Sequence, residues 1–392
     1  MTSDSGSVDI YVAKLAQADG SVVWAKRFGG SGEDLVTGLA VNEQDEIFLS
    51  GSINGPHDYG GGPLPHAGAR DILLLKLSAT GDFGWAKSFG TSGYDQGTAV
   101  AARNGQVALG GYFNAGTLDV ADTSIPSQGT DDIVIALFSS SQGDLVWAKG
   151  FGGTSSDKPE TMRIDSSGNV VAAGEFQATV NFGMGSVTAM NRDVFLLKLG
   201  AASGNALVAK TFGGDDVDTA SAVDVDDTDA MYLAGSFKHT VNFGTGDVTA
   251  SSTTNSDAYL VKLSAAGATV WAKPYGGTGN TRRATSVAIS LTNDVVFAGG
   301  FSGELSLGGA TLSSASGSAE DVFLARAAAG DGSYVSSTRA GGQGQESASS
   351  VTQTSDGKYF VTGSFQGFAD FGGTALTSAG SDDAFIFAMA PL

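Results

Sequence analysis

One short sequence, W-A-K-x-F-G-G or a close variant of it, returns six times along this chain of 392 residues. Its copies begin at residues 24, 85, 147, 208, 271 and 336, so the period is 61 to 65 residues. A period this regular indicates one supersecondary unit that is repeated about or along an axis. Because such units stack on their neighbours and form one cooperative body, we predict a single repeat domain over residues 1–392.

Each repeat contains four short β-rich segments, which we call strands A to D in chain order. In one representative repeat they are Ala220–Val225, Met231–Phe237, Asp257–Leu263 and Thr269–Lys273. Turns rich in Gly, Asp and Ser separate them, and no segment has a helical period, so the pattern predicts a four-stranded antiparallel meander. The chain's 58 glycines suit this many tight turns, because glycine adopts positive φ without steric cost. Repeated meanders of this kind are the blades of a β-propeller, and a linear β-solenoid is the alternative.

Counting the strands gives the number of blades. Strands A, B and D each occur six times and strand C occurs seven times, which makes 25 strands, or six blades of four and one extra strand. The chain begins and ends with a strand C. We therefore predict a closing blade built from both termini, in which the strand D of residues Val22 to Phe28 lies beside strands A and B from the C-terminal end. One strand C is then surplus, and the sequence leaves open which one.

Charge and composition argue against several classes of function. The formal net charge of −20 disfavours nucleic-acid binding, which needs basic patches that neutralise phosphates, and it disfavours an anionic membrane surface. The sequence has no run of 18 apolar residues, so it predicts no transmembrane helix. The N-terminal residues Met1–Gly6 lack the basic and apolar regions of a signal peptide. The absence of Cys excludes disulfides and thiolate metal sites and is compatible with export.

The combined motif resembles the bacterial SBBP-type β-propeller repeat over essentially the whole chain. Beside the W-A-K-x-F-G-G-x-G-x-D segment, one repeat carries the resemblance in Arg163–Asn169 (R-I-D-S-S-G-N), Val171–Phe176 (V-A-A-G-E-F) and Asp193–Leu199 (D-V-F-L-L-K-L). The resemblance implies an exported or surface-attached bacterial protein, and it implies no shared catalytic residues. The family's name implies seven blades, whereas the strand count of this chain gives six, and we follow the count.

Two columns of residues in strand D recur in nearly every repeat. A lectin pocket or an aromatic cage could use the tryptophans, but a ring that recurs once per blade is typical of a blade-to-blade contact, and Val208 in the same column favours packing. The lysines two residues later lie on the same face of strand D, and we expect them to be structural and paired with carboxylates. The tryptophans are Trp24, Trp85, Trp147 and Trp271, and the lysines are Lys26, Lys87, Lys149, Lys210 and Lys273.

An aspartate opens strand C in every copy. Asp favours turns because its carboxylate accepts local backbone N–H bonds. We therefore interpret this column as a repeated turn cap, and a metal ligand in each blade is the alternative. Its members are Asp9, Asp71, Asp132, Asp193, Asp257, Asp321 and Asp383.

A second acidic column follows the Gly-Gly step. In a propeller, the connection from strand D to the next strand A ends beside the central channel, so these side chains could ring one channel mouth. Hard cations such as calcium take carboxylate and carbonyl oxygens, and calcium is the only cofactor that the sequence suggests. A cation or polar-ligand site and an ordinary turn that leads into a strand are both open interpretations. The column comprises Asp34, Asp95, Asp157, Asp218 and Glu346, with Thr281 in the remaining copy.

Two further clusters could carry chemistry. His57, Asp58 and His66 share the connection between strands B and C of the first full repeat, where exposed loop histidines are the default and a metal or acid–base site is the alternative. The acidic run of residues 224–229 lacks the central Gly and the distal Glu of an EF-hand, so a solvated turn is the favoured interpretation. No Gly-x-Ser-x-Gly, His-Glu-x-x-His or phosphate-loop motif is present.

These observations predict a non-catalytic scaffold outside the cytoplasm that presents loops to a protein or a glycan, since the repeat columns account for most polar residues. One alternative is a multivalent carbohydrate-binding lectin. Another is a glycan hydrolase or lyase that uses channel-mouth carboxylates, for which two carboxylates should deviate from the repeat, and Glu175 and Glu346 are the candidates. We expect no nucleic-acid partner and no insertion into a membrane.

The calcium hypothesis has a direct test. A cation that binds only the folded state stabilises it by mass action, so millimolar calcium should raise the melting temperature and a chelator should reverse the rise. The double variant Asp95→Asn/Asp157→Asn should abolish the response. A melting temperature that calcium leaves unchanged, beyond the effect of ionic strength, would instead support the turn interpretation.

Overall fold

The computed structural model of the chain describes residues 7–30 and 32–390. These residues contain 33 β-strands and no helix. The strands form the six blades of a β-propeller, which confirms the predicted all-β fold class. The N-terminal segment Met1–Gly6, which lacks signal-peptide features, lies outside the described residues. The described residues include no helix that is long and apolar enough to cross a membrane.

Residue contacts divide the chain into two compact units, of which the first comprises residues 1–172, 176–188 and 197–209. It begins with the antiparallel pair β1 (Ile10–Leu15) and β2 (Val22–Phe28), which have the sequence of strands C and D. Two complete blades follow, and in each the strands pair in the order A-B-C-D. Blade 1 comprises β3 (Leu35–Val41), β4 (Ile47–Ile53), β5 (Asp71–Leu77) and β6 (Phe83–Phe89). Blade 2 comprises β7 (Gln96–Arg103), β8 (Gln106–Phe113), β11 (Asp132–Ser139) and β12 (Leu145–Phe151), with the short hairpin β9 (Thr117–Val120) and β10 (Thr123–Pro126) between its strands B and C.

Blade 3 is the sheet within which the chain passes from the first unit to the second. Its strands pair in the same A-B-C-D order, and its strands B and C have 12 and 14 residues, whereas their counterparts in the other blades have seven or eight. The strands are β13 (Lys158–Ile164), β14 (Val170–Asn181), β15 (Ser186–Leu199) and β16 (Ala206–Phe212).

The second unit comprises residues 173–175, 189–196 and 210–392. Blade 4 comprises β17 (Thr219–Val225), β18 (Met231–Phe237), β21 (Asp257–Leu263) and β22 (Thr269–Tyr275), with the hairpin β19 (Thr240–Asn242) and β20 (Asp247–Thr249). Blade 5 comprises β23 (Arg282–Ile289), β24 (Val295–Phe301), β27 (Asp321–Ala327) and β28 (Tyr334–Gly342), with the hairpin β25 (Glu304–Ser306) and β26 (Thr311–Ser313). Blade 6 comprises β29 (Glu346–Gln353), β30 (Tyr359–Phe365) and β33 (Asp383–Met389), with the hairpin β31 (Phe368–Asp370) and β32 (Ala375–Thr377).

The two terminal copies of strand C both have hydrogen-bonded partners. β1 pairs with the strand D that follows it, from Ile10 opposite Phe28 to Leu15 opposite Val22. β33 pairs with the strand B of blade 6, in a three-stranded sheet of order β29-β30-β33. The sequence predicted a closing blade in which β2 lies beside strands A and B from the C-terminal end. Among the described residues β2 pairs with β1 and has no hydrogen-bonded pairing with β29, β30 or β33, so the two terminal copies of strand C lie in two separate sheets.

The connection between strands B and C is a β-hairpin in five blades. In blades 2, 4 and 5 it is a separate two-stranded ribbon, and in blade 3 the ends of β14 and β15 form it directly. In blade 6 the ribbon β31–β32 also pairs with the end of β28 in blade 5. The sequence predicts only a long connection here, since ribbon strands of three or four residues are too short to show a period. Blade 1 has instead a Gly- and Pro-rich loop, closed by a single bridge between Asp58 and Pro63.

The apolar core lies between successive blades. Strands B and C of each complete blade are covered on both faces, and every residue of β4 and β5 is buried. This explains why they have continuous apolar sequences rather than alternating ones. In the first unit, Phe48 and Leu74 of blade 1 share a cluster with Leu109 of blade 2. In the second unit, Tyr232 of blade 4 and Phe297 of blade 5 belong to one buried apolar cluster.

The tryptophans of strand D join each strand to the blade that follows. Every indole N–H donates a hydrogen bond to a backbone carbonyl in the turn between strands C and D of the next blade, where it satisfies both groups. Trp147 and Trp271 are buried. The bonds run from Trp24 to Ala79 at 3.3 Å, from Trp85 to Ser140 at 3.1 Å, from Trp147 to Ala201 at 2.9 Å and from Trp271 to Ala329 at 3.1 Å.

We predict a graded loss of stability at Trp147. Trp147→Phe keeps an aromatic ring but leaves the Ala201 carbonyl without its donor, so the free energy of unfolding should fall by about 1 kcal/mol. Trp147→Ala also opens a cavity and should cost about 3–5 kcal/mol. Denaturant titration measures both values, and Trp24→Phe, at the longest of the four bonds, serves as a control that should lose less. Equal stability of Trp147→Phe and the unmodified chain would contradict the role of the N–H.

Candidate functional site

The second acidic column forms a set of buried turn caps. Each carboxylate accepts the backbone N–H of the residue four positions earlier, within the turn that follows strand D. All five carboxylates are almost fully buried, with at most 1% of each residue exposed. The donors are Gly30 for Asp34 (3.1 Å), Thr91 for Asp95, Gly153 for Asp157 (2.8 Å), Gly214 for Asp218 (2.9 Å) and Gly342 for Glu346 (2.9 Å).

The second carboxylate oxygen reaches the following blade. Asp157 Oδ1 accepts the N–H of Gln177 at 2.9 Å, and Asp218 Oδ1 accepts the N–H of Lys238 at 3.1 Å. Gln177 lies within β14, and Lys238 lies just beyond the end of β18. One side chain thus ties the turn after strand D to the strand that it introduces and to that strand's partner. This geometry agrees with the interpretation of the second acidic column as turn residues that lead into a strand.

The aspartate that opens strand C lies beside the carboxylate of the second acidic column. Most blade junctions therefore hold two neighbouring carboxylates. The neighbouring charge of the strand C aspartate raises the pKa of its partner at several junctions. The pairs are Asp71 with Asp95, Asp132 with Asp157, Asp193 with Asp218 and Asp321 with Glu346.

The Gly-Gly step is required because the two carboxylates close on its first residue. A Cβ atom at Gly341 would lie 2.7 Å from Glu346 Oε2 and 2.9 Å from Asp321 Cγ, and the backbone there has φ of +148°. At the corresponding Gly29, a Cβ would lie 2.6 Å from Asp9 Oδ1 and 3.0 Å from Asp34 Oδ2. Any side chain would displace the carboxylates, so the glycines and the two acidic columns form one arrangement.

Burial raises the pKa of these carboxyl groups. Desolvation, reinforced by the neighbouring carboxylate, raises the pKa of Asp157 to about 6, that of Asp218 to about 7 and that of Glu346 to about 7. Desolvation alone raises the pKa of Asp193 to about 6. Near neutral pH these groups are therefore close to the point of taking up a proton, since each holds its charge in a poorly solvated site.

The junction between blades 4 and 5 replaces the acid pair by an ion pair. Thr281 occupies the acidic column there, and the adjacent Arg282 is fully buried. Its Nε lies 2.8 Å from Asp257 Oδ1, and its Nη1 donates to the carbonyl of Thr278 at 2.7 Å. Sequence analysis overlooked Arg282, although the loss of the acid at Thr281 marks the position.

The described residues contain no group of three or more His, Cys, Asp or Glu side chains arranged to hold a metal ion. The calcium response stays a prediction, and each carboxylate of the second acidic column is already engaged by backbone N–H groups of its own turn. The last strand C aspartate, Asp383, follows the same pattern and accepts the N–H of Ala379 at 2.6 Å.

Basic residues of strand C form buried or partly buried ion pairs in four blades. Their partners are acids in the turn between strands A and B of the same blade. Lys198 and Asp165 are both buried, and their charged atoms are 2.6 Å apart. The other pairs are Lys76 with Glu46 at 2.7 Å, Lys262 with Asp226 at 3.8 Å and Arg326 with Asp294 at 2.5 Å.

The lysines of strand D are closer to solvent than we expected. Lys26 pairs at 2.8 Å with Asp82, an exposed carboxylate. Lys149 Nζ donates to the amide oxygen of Asn205 at 3.4 Å, so the carboxylate partner predicted for it is wrong. Lys87 and Lys273 are half-buried and Lys210 is exposed. The reason is that the outermost strand of a blade has solvent on one side, and long side chains keep their charge there.

The interpretation of the acidic run 224–229 as a solvated turn is wrong at Asp226, because this side chain is buried. Asp226 is not in a solvated turn: it is 4% exposed and accepts the N–H groups of Thr228 and Ala230 and the hydroxyl of Tyr232, the last at 2.9 Å. The turn between strands A and B is the site where the ion pair of Lys262 forms. The acidic run therefore serves the fold of blade 4.

His57 is buried rather than exposed in its loop. Its Nε2 lies 3.3 Å from Asp34 Oδ2, and the hydroxyl of Tyr59 donates to Asp34 Oδ1 at 3.4 Å. The ring covers Gly30, where a Cβ atom would lie 2.1 Å from Nδ1. In other blades a hairpin carbonyl covers the equivalent glycine, so His57 substitutes for the hairpin that blade 1 lacks. Asp58 instead accepts the N–H groups of Gly60 and Gly62 within the loop.

The enzyme candidates are engaged in structural contacts. Glu175 Oε2 lies 3.1 Å from Arg192 Nη1. Glu346 is fully buried in its junction. His66 lies beside Asp71, and His239 Nδ1 lies 3.3 Å from Asp215 Oδ1.

Comparison with known proteins shows a likeness in fold. No model of a known protein family matches the chain, and no curated protein matches it. Among solved structures, BamB from Moraxella catarrhalis is similar with 12% identity, 90% of this chain and 87% of that chain covered, and a TM-score of 0.39. Quinohemoprotein alcohol dehydrogenase from Comamonas testosteroni has 11% identity, 97% and 65% coverage and a TM-score of 0.41. A europium-containing methanol dehydrogenase has 10% identity, 91% and 81% coverage and a TM-score of 0.39.

We predict that the protein is more stable at pH 5 than at pH 8. A carboxyl group whose pKa is raised by folding contributes stability that is complete below its unfolded pKa and is lost as the pH rises through its folded pKa. For Asp157, Asp218 and Glu346 that window runs from about pH 4 to about pH 7. Below about pH 4, carboxylates such as Asp165, whose pKa the Lys198 ammonium and neighbouring hydrogen bonds lower against burial, become protonated and stability falls again.

Glu346→Gln tests this window at one junction. The amide resembles the protonated carboxyl group: its oxygen can accept the N–H of Gly342 and its nitrogen can donate toward Asp321. At pH 8 the variant should be more stable than the unmodified chain by roughly 1 to 3 kcal/mol, and at pH 5 the two should converge. Melting curves across this range give the comparison. A melting temperature of the unmodified chain that rises steadily from pH 5 to pH 8 would contradict the prediction.

Proposed function

We propose that the protein is a non-catalytic interaction scaffold outside the cytoplasm whose B-to-C hairpins bind a polypeptide partner. The recurring polar side chains support a scaffold rather than an enzyme, because they are used in turn caps, ion pairs and bonds between blades. The resemblance of the sequence to SBBP-type repeats supports a place outside the cytoplasm.

The observation that carries the proposal is the exposure of apolar side chains on the longest hairpin, formed by β14 and β15. Met184 at its tip is 61% exposed and Met190 on β15 is 80% exposed. Methionine is flexible and polarizable, and it is over-used on surfaces that adapt to protein partners. The hairpin of blade 6 repeats the feature, with Phe368 at 59% exposure.

A polypeptide is favoured over a glycan because the tryptophans are not available as sugar platforms. Stacking on a sugar ring needs an open aromatic face, whereas Trp147 and Trp271 are buried between blades and their N–H groups are occupied. The exposed apolar side chains of the blade 3 hairpin named above, Met184 and Met190, are thioether groups, which suit apolar packing against another protein.

The test uses the immobilised protein to capture partners from an envelope extract of its source organism. The double variant Met184→Glu/Met190→Glu should lose a polypeptide that the unmodified protein retains, because two charges would have to be buried in the interface. Ser186→Glu/Asn191→Glu is the matched control, since it adds the same charge at two exposed positions of the same hairpin and removes no apolar surface. Equal capture by all three proteins would contradict a role for this hairpin.

A further inference from the structure

The hairpin of blade 3 has a close counterpart in blade 4. Residues 179–190 and residues 240–251 share the pattern T-V-N-F-G-x-G-x-V-T-A-x, so each position of one hairpin has an equivalent in the other. In both hairpins the two threonines of the pattern face each other, with their hydroxyl oxygens 2.7 Å apart in blade 3 and 2.9 Å apart in blade 4. The two hairpins therefore differ mainly in the side chains at the variable positions.

Two of these variable positions carry methionine in blade 3 and a hydroxyl side chain in blade 4. Met184 corresponds to Thr245, and Met190 corresponds to Ser251. All four residues are exposed. The same hairpin pattern thus accepts either an apolar thioether or a polar group at these positions, so a change from apolar to polar there is compatible with the fold.

The tip of the blade 3 hairpin is held by groups other than the sulfur of Met184. Asn181 Oδ1 accepts the backbone N–H groups of Gly183 at 2.9 Å and Gly185 at 3.3 Å, on either side of the methionine. Phe182 in the same turn is buried and fixes it to the core. Because neither contact uses the thioether, a chemical change at the sulfur alters the surface and leaves the turn in place.

The sulfur atoms of the chain differ strongly in their access to solvent. The chain has no Cys, so the thioethers of methionine are its sulfur groups, and their oxidation follows exposure. Met184 and Met190 are 61% and 80% exposed, whereas Met162 and Met231 are buried, with 1% and 0% exposed. Met389 is half-buried and packs against an apolar cluster of the second unit. Among the described residues, an oxidant in solution therefore reaches the two hairpin sulfurs first.

We propose that Met184 and Met190 are sites of oxidation by hydrogen peroxide, and that their oxidation releases the polypeptide partner of the hairpin. The thioether sulfur attacks one peroxide oxygen, an S–O bond forms and the O–O bond breaks. The proton of the transferred oxygen passes to the departing hydroxide, which leaves as water. Sulfur loses two electrons and the peroxide gains them, and methionine sulfoxide reductases reverse the change.

Release follows from the polarity of the product. A sulfoxide is polar where the thioether was apolar, and a polar group that is buried without hydrogen-bond partners weakens an apolar interface. The hairpin thus loses the property that suits it to apolar packing. The release step rests on the proposed function, whereas the two oxidation sites do not.

The oxidation sites are tested on the purified protein without any partner. After treatment with increasing concentrations of hydrogen peroxide, peptide mapping by mass spectrometry should find Met184 and Met190 oxidised while Met162 and Met231 remain thioethers. The melting temperature should stay unchanged over this range, because both hairpin sulfurs lie outside the core. Oxidation of Met162 or Met231 as fast as the hairpin pair would overturn the proposal, as would a fall in melting temperature that accompanies oxidation of the hairpin pair alone.

The release step is tested with the immobilised protein and an envelope extract of its source organism. The unmodified protein should lose its captured polypeptide after peroxide treatment, and Met184→Gln/Met190→Gln, which imitates the polar sulfoxides, should capture about tenfold less without peroxide. Met184→Leu/Met190→Leu keeps an apolar surface without sulfur, so peroxide should leave its capture unchanged. Ser186→Gln/Asn191→Gln is the matched control, because it places the same amides at exposed positions of the same hairpin.

The outcomes separate release from the proposed function. Capture that survives oxidation of both hairpin sulfurs would overturn the release step. Loss of capture by peroxide-treated Met184→Leu/Met190→Leu would also overturn it, because another group would then be responsible. A protein that captures no polypeptide even before peroxide treatment would overturn the proposed function and the release step together, and peptide mapping would still decide the oxidation sites.

Discussion

The fold depends on buried carboxylates at the blade junctions, and several of them accept backbone N–H groups from two places at once. Asp157 accepts one N–H from the turn after strand D and one from within the next strand B. A repeat protein gains stability only when each unit is fixed to its neighbour, and apolar packing alone allows neighbouring sheets to slide. The directional hydrogen bonds to the carboxylate fix the position of each sheet relative to its neighbour. Their cost is the desolvation of a charge, which appears as the raised pKa.

The tryptophan of strand D performs the same task at the outer edge of the blade. Its indole N–H bonds to a turn carbonyl of the following blade, as between Trp147 and Ala201. A junction is therefore held near its inner strand by a carboxylate and near its outer strand by an indole. At the junction of blades 2 and 3, Asp157 and Trp147 are both buried and hydrogen-bonded.

The sequence predicted the blades well because a period of 61 to 65 residues with four short strands leaves few other folds. It predicted the roles of side chains less well, and the failures have physical causes. His57 and Asp226 were expected in solvent, yet tertiary contacts bury both. Lys149 meets the amide of Asn205 at the position where Lys26, in the same column, meets the carboxylate of Asp82. The role of Arg282 is evident only in the structure, because its partner Asp257 lies 25 residues earlier in the chain.

The ion pair of Asp257 and Arg282 shows that a junction can be built in two chemically different ways on the same backbone. The acid pair titrates near neutral pH, whereas an arginine stays charged at every pH that a protein experiences. During evolution, a repeat protein of this kind can change its pH dependence by replacing acid pairs with ion pairs at one junction at a time. Such an exchange needs coordinated changes, because the acid must be lost where Thr281 stands and the cation gained at its neighbour. Either change alone would leave a buried charge without a partner. Intermediates along this evolutionary path should therefore be less stable than the proteins with a complete acid pair or a complete ion pair.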